Sequence, residues 1–183
     1  TWTATLLEHP ATDLFSYWCY TSHIWDGVAI GYCYQSDGQY HGFAWQRDGD
    51  GAWVSYELER EEQTSYLYPQ LVLEDGSILG RIDSQNRYSA VAMWTFDGSA
   101  WELTRLPVPA PFDSASFERY RNGMILTQAY DPARGYRPLV YRRDGETWVP
   151  ENIPEVAADD YQMYPAGWAG DAVVGYHSGS STG

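Results

Sequence analysis

Short hydrophobic runs alternate with turn residues along the whole chain, and no run has the periodicity of a helix. Four hairpin-type dipeptides lie 47–49 residues apart: Asp26-Gly27, Asp75-Gly76, Asn122-Gly123 and Gly170-Asp171. Each is followed by a similar hydrophobic run, VAIGY, SILGR, MILTQ or AVVGY. Asp-Gly and Asn-Gly supply the positive φ angles of tight hairpin turns, so each dipeptide predicts two paired β-strands.

A second hairpin follows in three of these segments. The runs GFAWQ, AVAMW and PLVYR each precede an Asp-Gly, and a tryptophan at 53, 101 or 148 then begins another short run. In WTFDGSAWEL (94–103), for example, we expect Trp94 and Trp101 to lie near the turn on neighbouring strands and to pack across them. The pattern predicts an all-β chain built from four-stranded antiparallel units of about 47–49 residues.

We expect a single β-repeat domain over residues 1–183, with units at about 13–58, 64–107 and 112–154 and an incomplete unit at 160–177. Repeated four-stranded units of this length are typical of β-propeller blades. The predicted fold is therefore a small or partial β-propeller, and a β-sandwich of stacked hairpins is the alternative.

The run TWTATLLE at 1–8 resembles the fourth strand of a unit and could complete the last one. Three arrangements are open: a compact ring with a three-stranded last blade, a piece of a longer propeller, and an open chain. In the open chain, strand 1–8 completes the blade of a neighbouring molecule.

The stretches GVAIGYCYQSDGQYHGFAW and GSILGRIDSQNRYSAVAMW resemble the extracellular HAF-type repeat and, more generally, the blades of kelch-like propellers. They lack the double glycine of kelch repeats and the Trp-Asp of WD repeats. The resemblance covers most of the chain and implies a scaffold rather than a chemistry.

Cys19 and Cys33 flank the Asp26-Gly27 turn. A hairpin with a three-residue loop at 25–27 would place them opposite each other, and we expect a disulfide there; two buried free thiols are the alternative. A disulfide would indicate an oxidising compartment. Together with the absence of lysine and the repeat resemblance, it predicts an extracellular or cell-surface protein.

The formal net charge of −14 makes nucleic acid and acidic membranes poor partners. No hydrophobic run is long enough to span a bilayer. The sequence has no phosphate-binding loop, no nucleophile elbow and no zinc-type histidine spacing, so we expect no cofactor and no metal. Nothing pairs the carboxylates that lie near strands, Glu57, Asp83, Glu118 and Asp131, into a glycosidase site.

Aromatic residues make up 16% of the chain, with sixteen tyrosines and nine tryptophans, and they concentrate in the first run of each unit. We expect an aromatic ligand-binding face formed by Trp18, Trp25, Tyr66, Tyr68, Tyr120, Tyr161, Tyr164 and Trp168. Arg81 and Asp83 could hold the hydroxyls of a bound sugar. Packing of these aromatics inside the fold is the alternative.

These observations predict a non-catalytic extracellular recognition module that binds a glycan or a protein through an aromatic-rich face. A structural subunit that forms filaments by donating strand 1–8 is the first alternative. A glycoside hydrolase or lyase on a propeller scaffold is the second.

Overall fold

A computed structural model describes residues 7–8, 16–62, 64–84, 89–153, 161–170 and 172–179. These residues form fourteen β-strands and no helix, which confirms the all-β class. Within these ranges, accordingly, no helix is long and apolar enough to cross a membrane.

The largest sheet contains the first eight strands. They are β1 (Ser16–Trp25), β2 (Val28–Gln35), β3 (Tyr40–Arg47), β4 (Trp53–Glu57), β5 (Thr64–Val72), β6 (Ile78–Ser84), β7 (Ser89–Phe96) and β8 (Trp101–Arg105). They pair in the order β1-β2-β3-β5-β6-β7-β8, and β4 also pairs with β3. The link from β3 to β5 is a parallel bridge between Tyr40 and Tyr66, so strands distant in sequence meet at these two tyrosines.

The remaining strands form two smaller sheets. The four-stranded sheet contains β9 (Ser114–Arg121), β10 (Met124–Asp131), β11 (Gly135–Asp144) and β12 (Thr147–Asn152), in the order β12-β11-β10-β9. The two-stranded sheet contains β13 (Tyr161–Ala169) and β14 (Ala172–Gly179). The chain divides into two compact units. The first unit is Thr1–Arg87 with Ala92–Arg105, and the second unit is Tyr88–Val91 with Leu106–Gly183.

The sheets are open and do not close into a propeller ring. The compact ring, one of the three arrangements that the sequence left open, is therefore wrong. The predicted division into repeated four-stranded units stays a prediction, as does the resemblance to known repeats.

The hairpin turns have the predicted backbone geometry. Asp26 and Gly27 have φ angles of 43° and 79°, and Asn122 and Gly123 have 47° and 72°. Two consecutive residues with positive φ form the tight turn whose twist matches that of paired strands. Trp25 pairs directly with Val28, so the loop has two residues and the predicted three-residue loop at 25–27 is wrong.

The four hairpins β1–β2, β5–β6, β9–β10 and β13–β14 each carry a bulge in their first strand. The register shifts between Thr21 and His23 in β1, between Pro69 and Leu71 in β5, and between Pro165 and Gly167 in β13. In the β9–β10 hairpin the shift lies opposite Leu126 and Thr127. Each bulge adds one residue to the first strand, which displaces the pairing beyond it by one position.

A glycine faces the bulge in three of the hairpins. This explains the glycine at the fourth position of the runs VAIGY, SILGR and AVVGY. A Cβ atom on Gly31 would lie 2.0 Å from the carbonyl oxygen of Tyr20. The corresponding distances are 2.3 Å for Gly80 and 2.2 Å for Gly175. In the fourth hairpin the position is Thr127, whose hydroxyl donates a hydrogen bond to the carbonyl of Leu139 at 2.9 Å.

Each unit has its own buried core. In the first unit Ala29, Cys33, Phe43 and Trp45 form a buried cluster against which Leu7 packs. The largest fully buried side chains of the second unit, among the described residues, are Ile125, Leu126, Leu139 and Tyr141. Burial raises the pKa of Tyr141 to about 12, and its hydroxyl donates to the carbonyl of Pro107 at 3.0 Å.

The aromatics around the later turns pair differently from the prediction. Trp94 faces Leu103 rather than Trp101, and the residue opposite Trp101 is Phe96, with ring centroids 5.2 Å apart. Trp94 is buried and donates its indole N–H to the carbonyl of Glu59. The register decides this, because it makes Phe96 the direct neighbour of Trp101 and leaves Trp94 on the diagonal.

We predict that Gly31→Ala lowers the free energy of unfolding by about 3 kcal/mol, because its methyl group would collide with a backbone carbonyl that cannot swing aside. Gly49→Ala is the matched control. Gly49 lies in the same unit and an added Cβ would meet nothing within 4 Å, so its effect should stay within about 0.5 kcal/mol. Urea unfolding of both variants measures the difference, and equal losses would contradict the bulge explanation.

Candidate functional site

The β1–β2 hairpin carries two aromatic pairs on one face. Trp18 pairs with Tyr34 and Tyr20 pairs with Tyr32. The Trp18 and Tyr34 rings are stacked with centroids 4.7 Å apart, and the Tyr20 and Tyr32 centroids are 5.5 Å apart. Cys19 lies between Trp18 and Tyr20 and forms a disulfide with Cys33, whose Cα atom is 4.1 Å away.

Tyr40 joins these pairs to the next hairpin. Its ring centroid lies 5.1 Å from Tyr34, 5.7 Å from Tyr32 and 5.5 Å from both Tyr66 and Tyr68. The parallel bridge between β3 and β5 creates this junction, because it brings Tyr66 beside Tyr40. The rings therefore form one continuous chain of contacts over β1, β2, β3 and β5.

An ion pair lies at the far end of this chain. The Arg81 guanidinium lies 4.9 Å from the centroid of the Tyr68 ring and 3.0 Å from the carboxylate of Asp83. Burial raises the pKa of Tyr68, with Arg81 acting against this and Asp83 adding to it. The Tyr68 hydroxyl consequently keeps its proton at neutral pH and can donate a hydrogen bond.

We call this set the aromatic surface, and it consists of Tyr17, Trp18, Tyr20, Tyr32, Tyr34, Tyr40, Tyr66 and Tyr68. Tyr17 is 56% exposed, Trp18 is 45% exposed and Tyr20 is 54% exposed, and the three tyrosines in the middle are half-buried. Such rings present an apolar face together with a hydroxyl or indole N–H group at the edge. That combination matches a ligand with both C–H surfaces and hydroxyl groups.

The structure brings together Trp18, Tyr66, Tyr68, Arg81 and Asp83 from the predicted set of site residues. It places the other predicted residues elsewhere. Trp25 lies at the turn end of β1, opposite Val28. A β-strand advances about 3.3 Å per residue, so Trp25 is distant from Trp18 on the same strand.

The remaining predicted residues belong to the second unit. Tyr120 is half-buried in β9, and its hydroxyl accepts a hydrogen bond from the backbone N–H of Gly123 at 3.3 Å. Tyr164 and Trp168 lie in β13. The side chain of Tyr161 lies outside the described residues.

The prediction missed Tyr17, Tyr20, Tyr32, Tyr34 and Tyr40. The signal for Tyr20, Tyr32 and Tyr34 was present, because the register that pairs Cys19 with Cys33 also pairs Tyr20 with Tyr32 and Trp18 with Tyr34. The contact of Tyr40 with β5 had no local signal, since that contact joins separate hairpins.

An ionic network lies behind the aromatic surface, around His41 of β3. His41 is 2% exposed, and its Nδ1 lies 2.6 Å from Glu57 while its Nε2 lies 2.9 Å from Asp37. Arg60 lies 3.1 Å from Nε2 and donates a hydrogen bond to Gln39. Since side chains alternate along a strand, His41 holds β3 from the face opposite to Tyr40.

The network favours the charged imidazolium. Burial acts against the charge, but hydrogen bonds to Glu57 and Asp37 outweigh it and raise the pKa of His41 above the ordinary value of 6.5. Burial also acts to raise the pKa of Asp37, yet the hydrogen bond from His41 holds it below the ordinary 3.8. Both N–H groups of His41⁺ then donate to carboxylates.

Three of the four carboxylates that lie near strands, Glu57, Asp83 and Asp131, are engaged in other contacts. Glu57 binds His41, Asp83 pairs with Arg81, and Asp131 accepts the backbone N–H of Ala133 at 2.8 Å. Within the ranges that the structure describes, no three side chains of His, Cys, Asp or Glu group as a metal site. Comparisons of the chain with family models, curated proteins and solved structures gave no match.

We predict that the free energy of unfolding falls as the pH rises above 6.5 and through the raised folded-state pKa of His41. A raised folded-state pKa stabilises the fold fully below the unfolded value of 6.5, and that contribution is lost above the folded-state pKa. His41→Gln should cost about 2 kcal/mol at pH 6 and should flatten the slope.

Urea unfolding at a series of pH values measures both effects. Glu57→Gln serves as a second variant, because it keeps the imidazole and removes one charged acceptor. It should reduce the slope as well, and an unchanged slope in both variants would contradict the assignment to His41.

Proposed function

We propose that this protein is an extracellular recognition module without catalysis of its own and that the aromatic surface of the first unit binds a glycan. The observation that carries the proposal is the continuous series of ring contacts from Tyr17 to Tyr68, together with the exposure of its outer members. Exposed tryptophan and tyrosine side chains in one contiguous patch are a marker of binding surfaces.

The composition of the patch favours a glycan. Its members are tyrosines and a tryptophan rather than leucine, isoleucine or phenylalanine, so each ring adds a polar group to an apolar face. A sugar ring presents the complementary combination, with C–H groups on its faces and hydroxyls around its edge. Arg81 and Asp83 at the end of the surface could bind such hydroxyls with charge-assisted hydrogen bonds.

Charge further narrows the ligand class. The protein carries a formal net charge of −14, which would repel an acidic polysaccharide at moderate salt. Arg81, the guanidinium at this surface, is paired with Asp83. We therefore propose a neutral glycan, and the Cys19–Cys33 disulfide supports placing the protein in an oxidising, extracellular compartment.

The structural-subunit alternative has less support. Strand 1–8, its proposed donor, lies outside the described residues except for Leu7 and Glu8. Leu7 packs against the core cluster of the first unit, and the carbonyl of Glu8 accepts the indole N–H of Trp45 at 2.9 Å. These contacts hold the end of the segment on its own chain, and donation would have to break them. The hydrolase or lyase alternative has no comparable observation in its favour.

We predict that Trp18→Ala weakens binding of the recognised glycan at least about tenfold, which corresponds to about 1.4 kcal/mol. The test is calorimetric titration with the hexasaccharides of cellulose, xylan, mannan and laminarin. Trp25→Ala is the matched control, because Trp25 lies on the same strand with a similar exposure of 53% and away from the surface. An equal loss in both variants, or no binding to any hexasaccharide, would contradict the proposal.

We also predict that deletion of residues 1–8 lowers the thermal midpoint and leaves the native mass unchanged, because the deletion removes the contacts of Leu7 and Glu8. Light scattering and a melting curve on the same sample measure both quantities. Assemblies of the full chain that dissociate on deletion would instead support strand donation.

A further inference from the structure

The second unit carries its own chain of tyrosine contacts. The ring centroids of Tyr130 and Tyr136 lie 5.3 Å apart, those of Tyr136 and Tyr164 lie 5.6 Å apart, and those of Tyr164 and Tyr176 lie 5.1 Å apart with the rings stacked. Tyr176 is 66% exposed and Tyr130 and Tyr136 are both 38% exposed. These four tyrosines come from β10, β11, β13 and β14.

Two of these residues occupy the same register positions as members of the aromatic surface. Tyr34 pairs with Tyr40 across the β2–β3 hairpin, three residues from the pair formed by Gly31 and Phe43. Tyr130 pairs with Tyr136 across the β10–β11 hairpin, three residues from the pair formed by Thr127 and Leu139. Gly31 and Thr127 both face the bulge of the preceding strand, so the two tyrosine pairs are equivalent.

The other two residues, Tyr164 and Tyr176, correspond to Tyr68 and Arg81 of the first unit. Tyr68 and Tyr164 each precede a proline at the bulge, and that proline faces a glycine, Gly80 or Gly175. The residue after each glycine pairs with the tyrosine, and it is Arg81 in the first unit and Tyr176 in the second. Tyr176 stacks on Tyr164 where Arg81 lies over Tyr68.

The second cluster is smaller than the first. The positions that correspond to Trp18, Tyr20 and Tyr32 are Ser114, Ser116 and Gln128, which pair in the same register. The exposed tryptophan and two of the tyrosines are therefore missing. The cluster keeps phenol hydroxyls, and that of Tyr164 donates to Gln162 at 2.6 Å.

We propose that Tyr130, Tyr136, Tyr164 and Tyr176 form a second, weaker site for the same class of neutral glycan, so that one chain binds two saccharide segments. This inference rests on the proposed function of the aromatic surface. Because the second site has no tryptophan at the position of Trp18, it should bind the glycan at least about tenfold more weakly than the first site. A polymer that reached both sites would bind more tightly than its hexasaccharide through avidity.

The test is a calorimetric titration of the full chain with the hexasaccharide that binds most tightly among those of cellulose, xylan, mannan and laminarin. We expect two classes of site in the unmodified protein. Tyr176→Ala should remove the weak class and keep the tight one, while Trp18→Ala should do the reverse. Val149→Ala, which truncates an exposed apolar side chain of the same unit, should change neither class.

The outcomes separate the two proposals. A single class that Trp18→Ala removes and Tyr176→Ala leaves intact would overturn the second site and keep the proposed function. A single class of binding site that Tyr176→Ala removes and Trp18→Ala leaves unchanged would overturn the first site. It would also overturn the proposed order of the two affinities. Absence of binding to every hexasaccharide would overturn both proposals together.

Discussion

The geometry of the first hairpin depends on one extra residue, Ser22, in the bulge of β1. The turn at Asp26-Gly27 has two residues, and without the bulge it would place Cys19 opposite Tyr34. The bulge shifts the pairing by one residue, so that Cys19 meets Cys33 and Trp18 meets Tyr34. The disulfide and the aromatic pairs therefore depend on the same irregularity. In this hairpin the bulge requires Gly31, because an added Cβ would lie 2.0 Å from the Tyr20 carbonyl oxygen. The corresponding bulge of β9 accommodates Thr127 instead.

The same bulge recurs in the hairpins that begin at β5, β9 and β13, and it makes their positions directly comparable. Equivalent positions keep a tyrosine at Tyr68 and Tyr164, whereas the position after the facing glycine differs. There Arg81 contributes a charged group to the first unit and Tyr176 contributes a ring to the second. A common backbone thus presents two related surfaces with different chemistry.

The strand β3 separates two environments. Tyr40 lies among aromatic rings on one face, and His41 lies among Asp37, Glu57 and Arg60 on the other. Two carboxylates contact the buried His41 ring and favour its charged form, as a buried charge requires.

Local chemistry determined the strands and the turns. Alternating hydrophobic runs and the Asp-Gly and Asn-Gly dipeptides predicted the all-β class and the hairpins. The pairing of Cys19 with Cys33 was also predicted, but from a three-residue loop that the structure does not have. Only the tertiary structure decided the bulges, the two-residue turn, the meeting of Tyr40 with Tyr66 and the open sheets. A bulge changes register without a distinctive residue of its own, since Ser22, Gln70, Glu118 and Ala166 have nothing in common. Contacts between separate hairpins depend on long-range packing, and local sequence patterns do not encode that packing.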